Sequence, residues 1–225
     1  MKAISPKEVD KYVEKLLKKI GSEYEPEQVP VKVEPYSKSQ NCFINVEEKV
    51  KKDGGSVYYG WNIFQSEIIC EAERHAVWES AEGDLIDITP NELDFEQIMF
   101  VPDNDFVYTG QLVDNIRINI TDNPLVDDFI FLCENIEKLY SYGQRIDDEQ
   151  MSVPEPAVQL IPHLEQFKAN LLNFINSGAR PSKPCYCGSP KIYKNCHGKD
   201  FRKDVSNLVA KVERILKKSK GIAEE

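Results

Sequence analysis

Three cysteines and a histidine lie close together near the C-terminus in the pattern C-x-C-x8-C-H. They are Cys185, Cys187, Cys196 and His197, and they place half of the six cysteines of the chain within 13 residues. Three thiolates and one imidazole fill the four tetrahedral positions of Zn²⁺. Because no position is left for water, we predict a structural zinc ion. A segment this short buries too little apolar surface to fold alone, so the metal is expected to supply the folding free energy.

The same segment, CYCGSPKIYKNCHG, resembles the SEC-C motif, the zinc-binding tail of the preprotein translocase motor SecA. The resemblance lies in the paired ligands, the Gly188-Ser189 and Tyr193-Lys194 dipeptides between them and the closing Gly198. It implies zinc binding and a module that docks onto a partner, and it implies no activity. Pro190 and Ile192 stand where that family commonly has glycine and lysine, so part of the basic surface that the SecA tail presents to its acidic chaperone partner is missing.

The charge of the chain is unevenly distributed. Residues 180–225 carry 12 Lys and Arg against 5 Asp and Glu, whereas residues 1–179 carry 16 against 33. A basic tail favours an anionic partner, which is either an acidic protein surface or nucleic acid, including the ribosome. The acidic remainder of the chain disfavours binding to nucleic acid.

The sequence contains neither an apolar run of the ~20 residues that span a bilayer nor the unbroken apolar stretch of a signal peptide at its start, MKAISPKEVDKY. We therefore expect a cytoplasmic protein with no membrane partner. In that reducing compartment its cysteines are expected to be metal-bound, catalytic or buried rather than paired in disulfides.

The apolar periodicity predicts a first amphipathic helix over residues 5–20. Ser5 is the predicted N-cap, Pro6 is the first helical residue, and Glu8, three residues after the cap, completes a capping box with Ser5. Gly21 stops the helix. Further helices are predicted at 42–52, 123–142, 157–177 and 201–220, and strands at 57–64, 68–79, 85–89, 97–101 and within 106–120.

These elements predict an α+β fold in four parts. Residues 1–35 form an N-terminal helix and linker, 36–121 an α+β core, 122–179 a helical segment and 180–225 the zinc module with a basic amphipathic helix. A helix that begins at Cys42 is expected to pack on the antiparallel sheet of the core.

A second group of residues, Cys42, His75 and Asp87, has the composition of a catalytic triad. A cysteine at a helix start is favoured as a thiolate by the unpaired N–H groups and the helix dipole. An odd-length loop centred on Ala81 places His75 directly opposite Asp87 on one face of a hairpin, whereas a two-residue loop puts them on opposite faces. In the first arrangement the imidazole can take the thiol proton while the carboxylate orients it.

The order of these residues resembles the transglutaminase-like branch of the papain-type cysteine enzymes over about 65 of the 225 residues. The matching elements read Asn41-Cys42-Phe43, Tyr59-Gly60-Trp61, His75-Ala76-Val77-Trp78 and Asp87-Ile88-Thr89. The resemblance implies a papain/transglutaminase-like body in which Cys42 attacks an amide carbonyl, His75 is general base and then acid, and Asp87 orients His75. It also implies a candidate for oxyanion support in Gln40. Phe43 replaces the common tryptophan, and one extra residue separates His75-Ala76 from Trp78.

Two interpretations of the function stay open. In the first, the chain is a cysteine hydrolase or acyl transferase, either an amidohydrolase, a peptidase or a transglutaminase-like enzyme, and its zinc tail docks onto a macromolecule. In the second, the body is a catalytically silent adaptor, and the zinc tail binds a protein chaperone, the ribosome or nucleic acid. Taken singly, a cysteine at a helix start, a histidine on a strand and an aspartate before Thr-Pro are each common in purely structural roles.

Overall fold

The computed structural model describes residues 3–91, 93–146 and 150–219. The chain divides into two compact units. Unit 1 contains the residues up to Gly110 together with Asn115–Ile120, and unit 2 contains Gln111–Asp114 and the residues from Thr121 onward. Five α-helices and antiparallel strands in the described residues confirm the predicted α+β class.

Unit 1 contains two helices, and most of its strands follow the second helix along the chain. Its elements are α1 (Lys11–Ile20), β1 (Glu27–Pro30), α2 (Cys42–Asp53), β2 (Ser56–Gln65), β3 (Ile69–Glu79), β4 (Leu85–Ile86), β5 (Gln97–Pro102) and β6 (Ile116–Asn119). Unit 2 is mainly helical. It contains α3 (Pro124–Tyr140), the two-stranded ribbon β7 (Gln144–Arg145) and β8 (Met151–Ser152), α4 (Ala157–Asn176) and α5 (Phe201–Ser219). Lys220, the last residue of the predicted final helix, lies outside the described residues.

The strands of unit 1 form one antiparallel sheet in the order β1-β5-β2-β3-β4, with β6 paired to the other half of β3. The sheet curls until its two ends meet. The Lys32 N–H donates to the Asp87 carbonyl (2.8 Å), and the Asp87 N–H donates to the Pro30 carbonyl (3.0 Å). Buried side chains from three strands then form one cluster on the inner face, namely Val29, Val77, Ile98 and Phe100. The rolled sheet is therefore closed by backbone hydrogen bonds next to Asp87.

Helix α1 covers the other face of the sheet. Val13 and Leu16 are fully buried against an apolar cluster that includes Trp61 and Ile63. The three-and-four spacing of these residues predicted this packing, because it places the apolar side chains on one side of the helix.

The predicted start of α1 is wrong. Asp10, not Ser5, is the N-cap, and its Oδ1 accepts hydrogen bonds from the N–H groups of Tyr12 and Val13. The residues before it are not helical. The Ile4 backbone pairs with Gln65, and Ser5 Oγ accepts a hydrogen bond from the Met99 N–H. Pairing with the sheet thus replaces the first helical turn. The predicted stop at Gly21 is confirmed, with a left-handed φ of 69°.

The loop between β3 and β4 is also centred one residue later than predicted. Trp78 pairs with Ile86 and Glu79 with Leu85, which centres the loop on Glu82 instead of Ala81. Ser80 sets this length, because its Oγ accepts hydrogen bonds from the N–H groups of Glu82 and Asp84. Continuing this register places Val77, rather than His75, across from Asp87. Since the loop length is odd, His75 and Asp87 still share a face as diagonal neighbours.

Two predicted strands are shorter in the structure. β4 ends at Ile86 because the next residues bond to the segment that follows β1, as described above. Within residues 106–120 only Ile116–Asn119 is a strand.

Candidate functional site

Cys42 is the first residue of α2 and is 8% exposed. The N–H groups of a first helical turn have no partner within the helix and favour a neighbouring anion. Gln40, two residues earlier, has a left-handed φ of 62°. Such a conformation is costly for a residue other than glycine and is frequent beside functional groups. The Gln40 side chain is exposed, and its role in oxyanion support stays a prediction.

His75 lies in the middle of β3 and is 7% exposed. Its cross-strand partner is Gly60, where a Cβ atom would lie 2.2 Å from the Val101 carbonyl oxygen and 2.5 Å from the Phe100 ring. β2 and β5 therefore approach so closely beside His75 that only glycine fits. This explains the glycine of the Tyr59-Gly60-Trp61 element in terms of packing.

Asp87 is 2% exposed, and its Oδ1 lies 3.2 Å from Nε2 of His75. That distance is within ion-pair range, but Nε2 makes no aligned hydrogen bond. The same Oδ1 accepts a hydrogen bond from the Thr89 N–H (3.0 Å), which fixes the orientation of the carboxylate. Asp87 therefore stabilises its own turn, which is the structural role common for an aspartate before Thr-Pro, and it also contacts His75.

The Cys42 thiol interacts with the His75 ring and is one of the groups that raise the pKa of His75. Burial alone disfavours the imidazolium, but the charges of Asp87 and of a Cys42 thiolate outweigh it and raise the pKa of His75 well above 6.5. The structure thus brings His75 and Asp87 into contact, and a catalytic role for Cys42, His75 and Asp87 stays a prediction. The arrangement favours the charged imidazolium form of His75, with the Asp87 carboxylate beside the ring.

Asn45 links the parts of this site and was not among the predicted residues. It lies one helical turn after Cys42 and is 4% exposed. Its Nδ2 donates to Thr89 Oγ1 (3.0 Å) and to the Lys38 carbonyl (2.8 Å), and its Oδ1 accepts from the Lys38 N–H (3.0 Å). Asn45 therefore ties the helix that carries Cys42 to the turn that carries Asp87. The available signal was an amide side chain three residues after Cys42, on the helix face where burial was expected.

We predict that Asn45→Ala weakens both the fold and the site. Removing one partner from buried hydrogen bonds costs about 1–3 kcal/mol of unfolding free energy, and the loosened helix should also slow alkylation of Cys42. Urea unfolding and mass spectrometry of the alkylated Cys42 peptide measure the two effects. Asn135→Ala is the matched control, because its Nδ2 donates only to the Phe131 carbonyl in its own helix. Equal alkylation rates in Asn45→Ala and wild type would remove the positioning role.

The four residues of the C-terminal cluster lie together in unit 2. Their ligand atoms are all within 4.8 Å of one another. Cys187 Sγ lies 3.7 Å from Cys196 Sγ, and His197 Nδ1 lies 3.6 Å from Cys196 Sγ and 3.2 Å from Cys185 Sγ. Around a tetrahedral Zn²⁺ the expected separations are about 3.8 Å between sulfurs and about 3.5 Å between sulfur and nitrogen. The prediction of a group that can hold a metal ion is therefore confirmed, and zinc as that metal stays a prediction.

Local backbone structure brings these ligands together. Gly188 adopts a φ of 77° in the turn after Cys187, and its N–H donates to the Cys185 carbonyl (3.2 Å). A short 3-10 helix, Tyr193–Asn195, then delivers the second pair of ligands, with the Cys196 N–H donating to the Tyr193 carbonyl (2.9 Å). Tyr193 is 2% exposed and fills the centre of the module. A Cβ at position 198 would come within 2.5 Å of its ring, which explains the closing glycine.

The thiols of the cluster differ in their surroundings. The Ser189 hydroxyl and N–H stabilise the Cys187 thiolate and lower the pKa of Cys187 to about 6, whereas burial raises the pKa of Cys185. Outside the cluster, burial raises the pKa of Cys70 to about 12, which makes it an inert thiol of the core.

The chain matches no protein-family model, no curated protein and no solved structure. Within the described ranges, no helix has the length and apolar character needed to cross a membrane.

Proposed function

We propose that unit 1 is a cysteine hydrolase or acyl transferase that acts on amide bonds. The observation that carries this proposal is the 3.2 Å contact between Nε2 of His75 and Oδ1 of Asp87. It is supported by the Cys42 thiol, which helps to raise the pKa of His75. A nucleophile, a base and a group that orients the base are the parts that covalent catalysis by a thiol needs. The papain- or transglutaminase-like nature of the body belongs to the same proposal.

The proposed reaction proceeds through a thioester. The Cys42 thiolate attacks the amide carbonyl carbon, and N–H groups of the first turn of α2 stabilise the oxyanion. As the C–N bond breaks, the imidazolium of His75 gives its proton to the leaving amine. His75 then takes a proton from water or from an acceptor amine, which attacks the thioester and releases the Cys42 thiolate, so the starting pair of thiolate and imidazolium is restored. Asp87 holds the ring in position and stabilises its charged form.

We also propose that Cys185, Cys187, Cys196 and His197 bind a structural zinc ion and that this module docks onto a partner. With four protein ligands, the metal would hold the segment folded and would take no part in the reaction. Lysines and arginines supply the net positive charge of this part of the chain, and Leu208 is 48% exposed on α5. These features support a partner with an acidic surface, which is a protein or, alternatively, nucleic acid or the ribosome.

A peptide library tests the proposed activity. Mass spectrometry detects both cleavage of backbone amides and loss of ammonia from side-chain carboxamides. We expect product formation with the wild-type chain and a loss of about 10²–10⁴-fold in His75→Asn, which is the usual size of general acid–base catalysis. Cys42→Ala should form no product.

The alternative function is a silent adaptor, favoured by the charge and exposed leucine of the tail. If no library member reacts, and Cys42→Ala still captures the same partners as the wild-type chain, the adaptor replaces the enzyme as the function.

A further inference from the structure

Two polar residues lie side by side on the sheet next to His75. Asn62 on β2 is the direct cross-strand partner of Glu73 on β3, as Gly60 is of His75. The two pairs are two residues apart along the strands, so all these side chains share one face and the Glu73 and His75 positions are about 7 Å apart. Asn62 and Glu73 therefore adjoin the proposed catalytic group.

This part of the face contains polar atoms that the protein does not satisfy. Asn62 is 4% exposed, and its buried Oδ1 has no hydrogen-bond partner among the described residues, nor does Nε2 of His75. Buried polar atoms are nearly always paired with protein or with ordered solvent, so adjacent unpaired ones require an explanation.

Glu73 adds negative charge at the same place. Among the described residues, its carboxylate forms no hydrogen bond or ion pair. The nearby Arg117 pairs with Glu71 instead, with 2.7 Å between Nη2 of Arg117 and Oε1 of Glu71. Burial raises the pKa of Glu73, and the charges of Glu71 and Asp87 add to this against the opposing effects of His75 and Arg117. The residue is partly exposed, so a ligand can reach it from solvent. A cation that donates hydrogen bonds would complement both the carboxylate and the amide oxygen.

We propose that Asn62 and Glu73 form a subsite that binds a primary ammonium group of the substrate. An ammonium group has three N–H donors, one for the Glu73 carboxylate, one for Asn62 Oδ1 and one for solvent. The preferred substrates are then amides that carry a free amine close to the reacting carbonyl. Their selection rests on the proposed function, whereas the binding of the amine requires no turnover.

Glycinamide is the probe for this subsite, and N-acetylglycinamide, in which the amine is blocked, is its matched control. The full chain with Cys42→Ala is titrated with each at pH 7, where the free amine of glycinamide is mostly protonated, and amide chemical shifts of β2 and β3 are followed by NMR. We expect saturable binding of glycinamide centred on Asn62 and Glu73, at least tenfold tighter than binding of the blocked probe. Glu73→Gln should abolish that difference, whereas Glu82→Gln, at an exposed position in the loop after β3, should preserve it.

The comparison of the two probes needs no further variant, so it decides the proposal even if Glu73→Gln does not fold. The proposal is overturned by any of three results: no binding, equal affinity for both probes, or an unchanged preference in a folded Glu73→Gln chain. In that case solvent would be the hydrogen-bond partner of Asn62 Oδ1. The result also stands apart from activity. If glycinamide is preferred but no peptide is turned over, the subsite proposal stands and the proposed enzymatic function is wrong. If peptides are turned over but glycinamide is not preferred, the enzymatic function stands and the subsite proposal is wrong.

Discussion

His197→Asn should release the bound metal and unfold the module that surrounds it. Zinc binding contributes about 10–16 kcal/mol to the folding of comparable small modules. Loss of one of four direct ligands should weaken affinity by more than 100-fold, because even changes behind the ligands cost about 10–100-fold. Competition with a chromophoric chelator measures the affinity. Trypsin then reports the unfolding, since the segment carries cleavable lysines at positions 191, 194 and 199.

His163→Asn is the matched control for this variant. His163 lies exposed on α4 in the same unit and is not one of the four residues of the cluster, so its replacement should leave both the affinity and the trypsin pattern unchanged. If His197→Asn keeps one tightly bound zinc ion, or if the wild-type chain binds none, the four residues do not form the proposed centre.

The second large effect is expected at the thiol. At pH 7, His75→Asn should slow the alkylation of Cys42 by iodoacetamide about 30-fold or more. The reason is that the proposed mechanism makes His75 the base for the thiol, and an ordinary cysteine of pKa about 8.5 without such a base is only about 3% thiolate at this pH. Digestion and mass spectrometry give the rate for each cysteine separately, so Cys70 provides an unreactive internal standard.

His163→Asn serves again as the control and should alkylate at the wild-type rate. Alkylation of Cys42 that is equally fast with and without His75 would mean that the ring does not activate the thiol. In that case the contact between the two residues is structural.

The sequence could predict the elements of this fold better than their pairing. The helix at Cys42 and the long strands around Gly60 and His75 follow from local signals, namely a glycine stop and β-branched or aromatic runs. The start of α1 does not follow from a local signal, since the backbone of Ile4 pairs with Gln65, 61 residues further along the chain. No local sequence pattern indicates a contact between residues so far apart. The pairing of Ile4 with Gln65 outweighs the capping signal at Ser5.

The same distinction applies to the site. The metal cluster is local in sequence, so spacing alone was enough to predict that its four residues meet. The proximity of Cys42, His75 and Asp87 depends on the closure of the sheet at Asp87 and on Asn45, which bonds to Thr89 across 44 residues. Residue types and order indicated the three residues, but the register of the hairpin differed from the predicted one because the Ser80 side chain organises a loop centred on Glu82. Asn62 and Glu73 became visible only when the strands were paired.

The protonation state of His75, observed by ¹⁵N NMR of the full chain, tests the site most directly. We expect both ring nitrogens to carry protons at pH 7 and the proton to be lost only well above pH 6.5, since Asp87 and the Cys42 thiolate hold the positive charge. Cys42→Ser and Asp87→Asn should each lower the pKa of His75. A His75 ring that titrates near 6.5 in all three chains would show that thiol, imidazole and carboxylate do not act on one another.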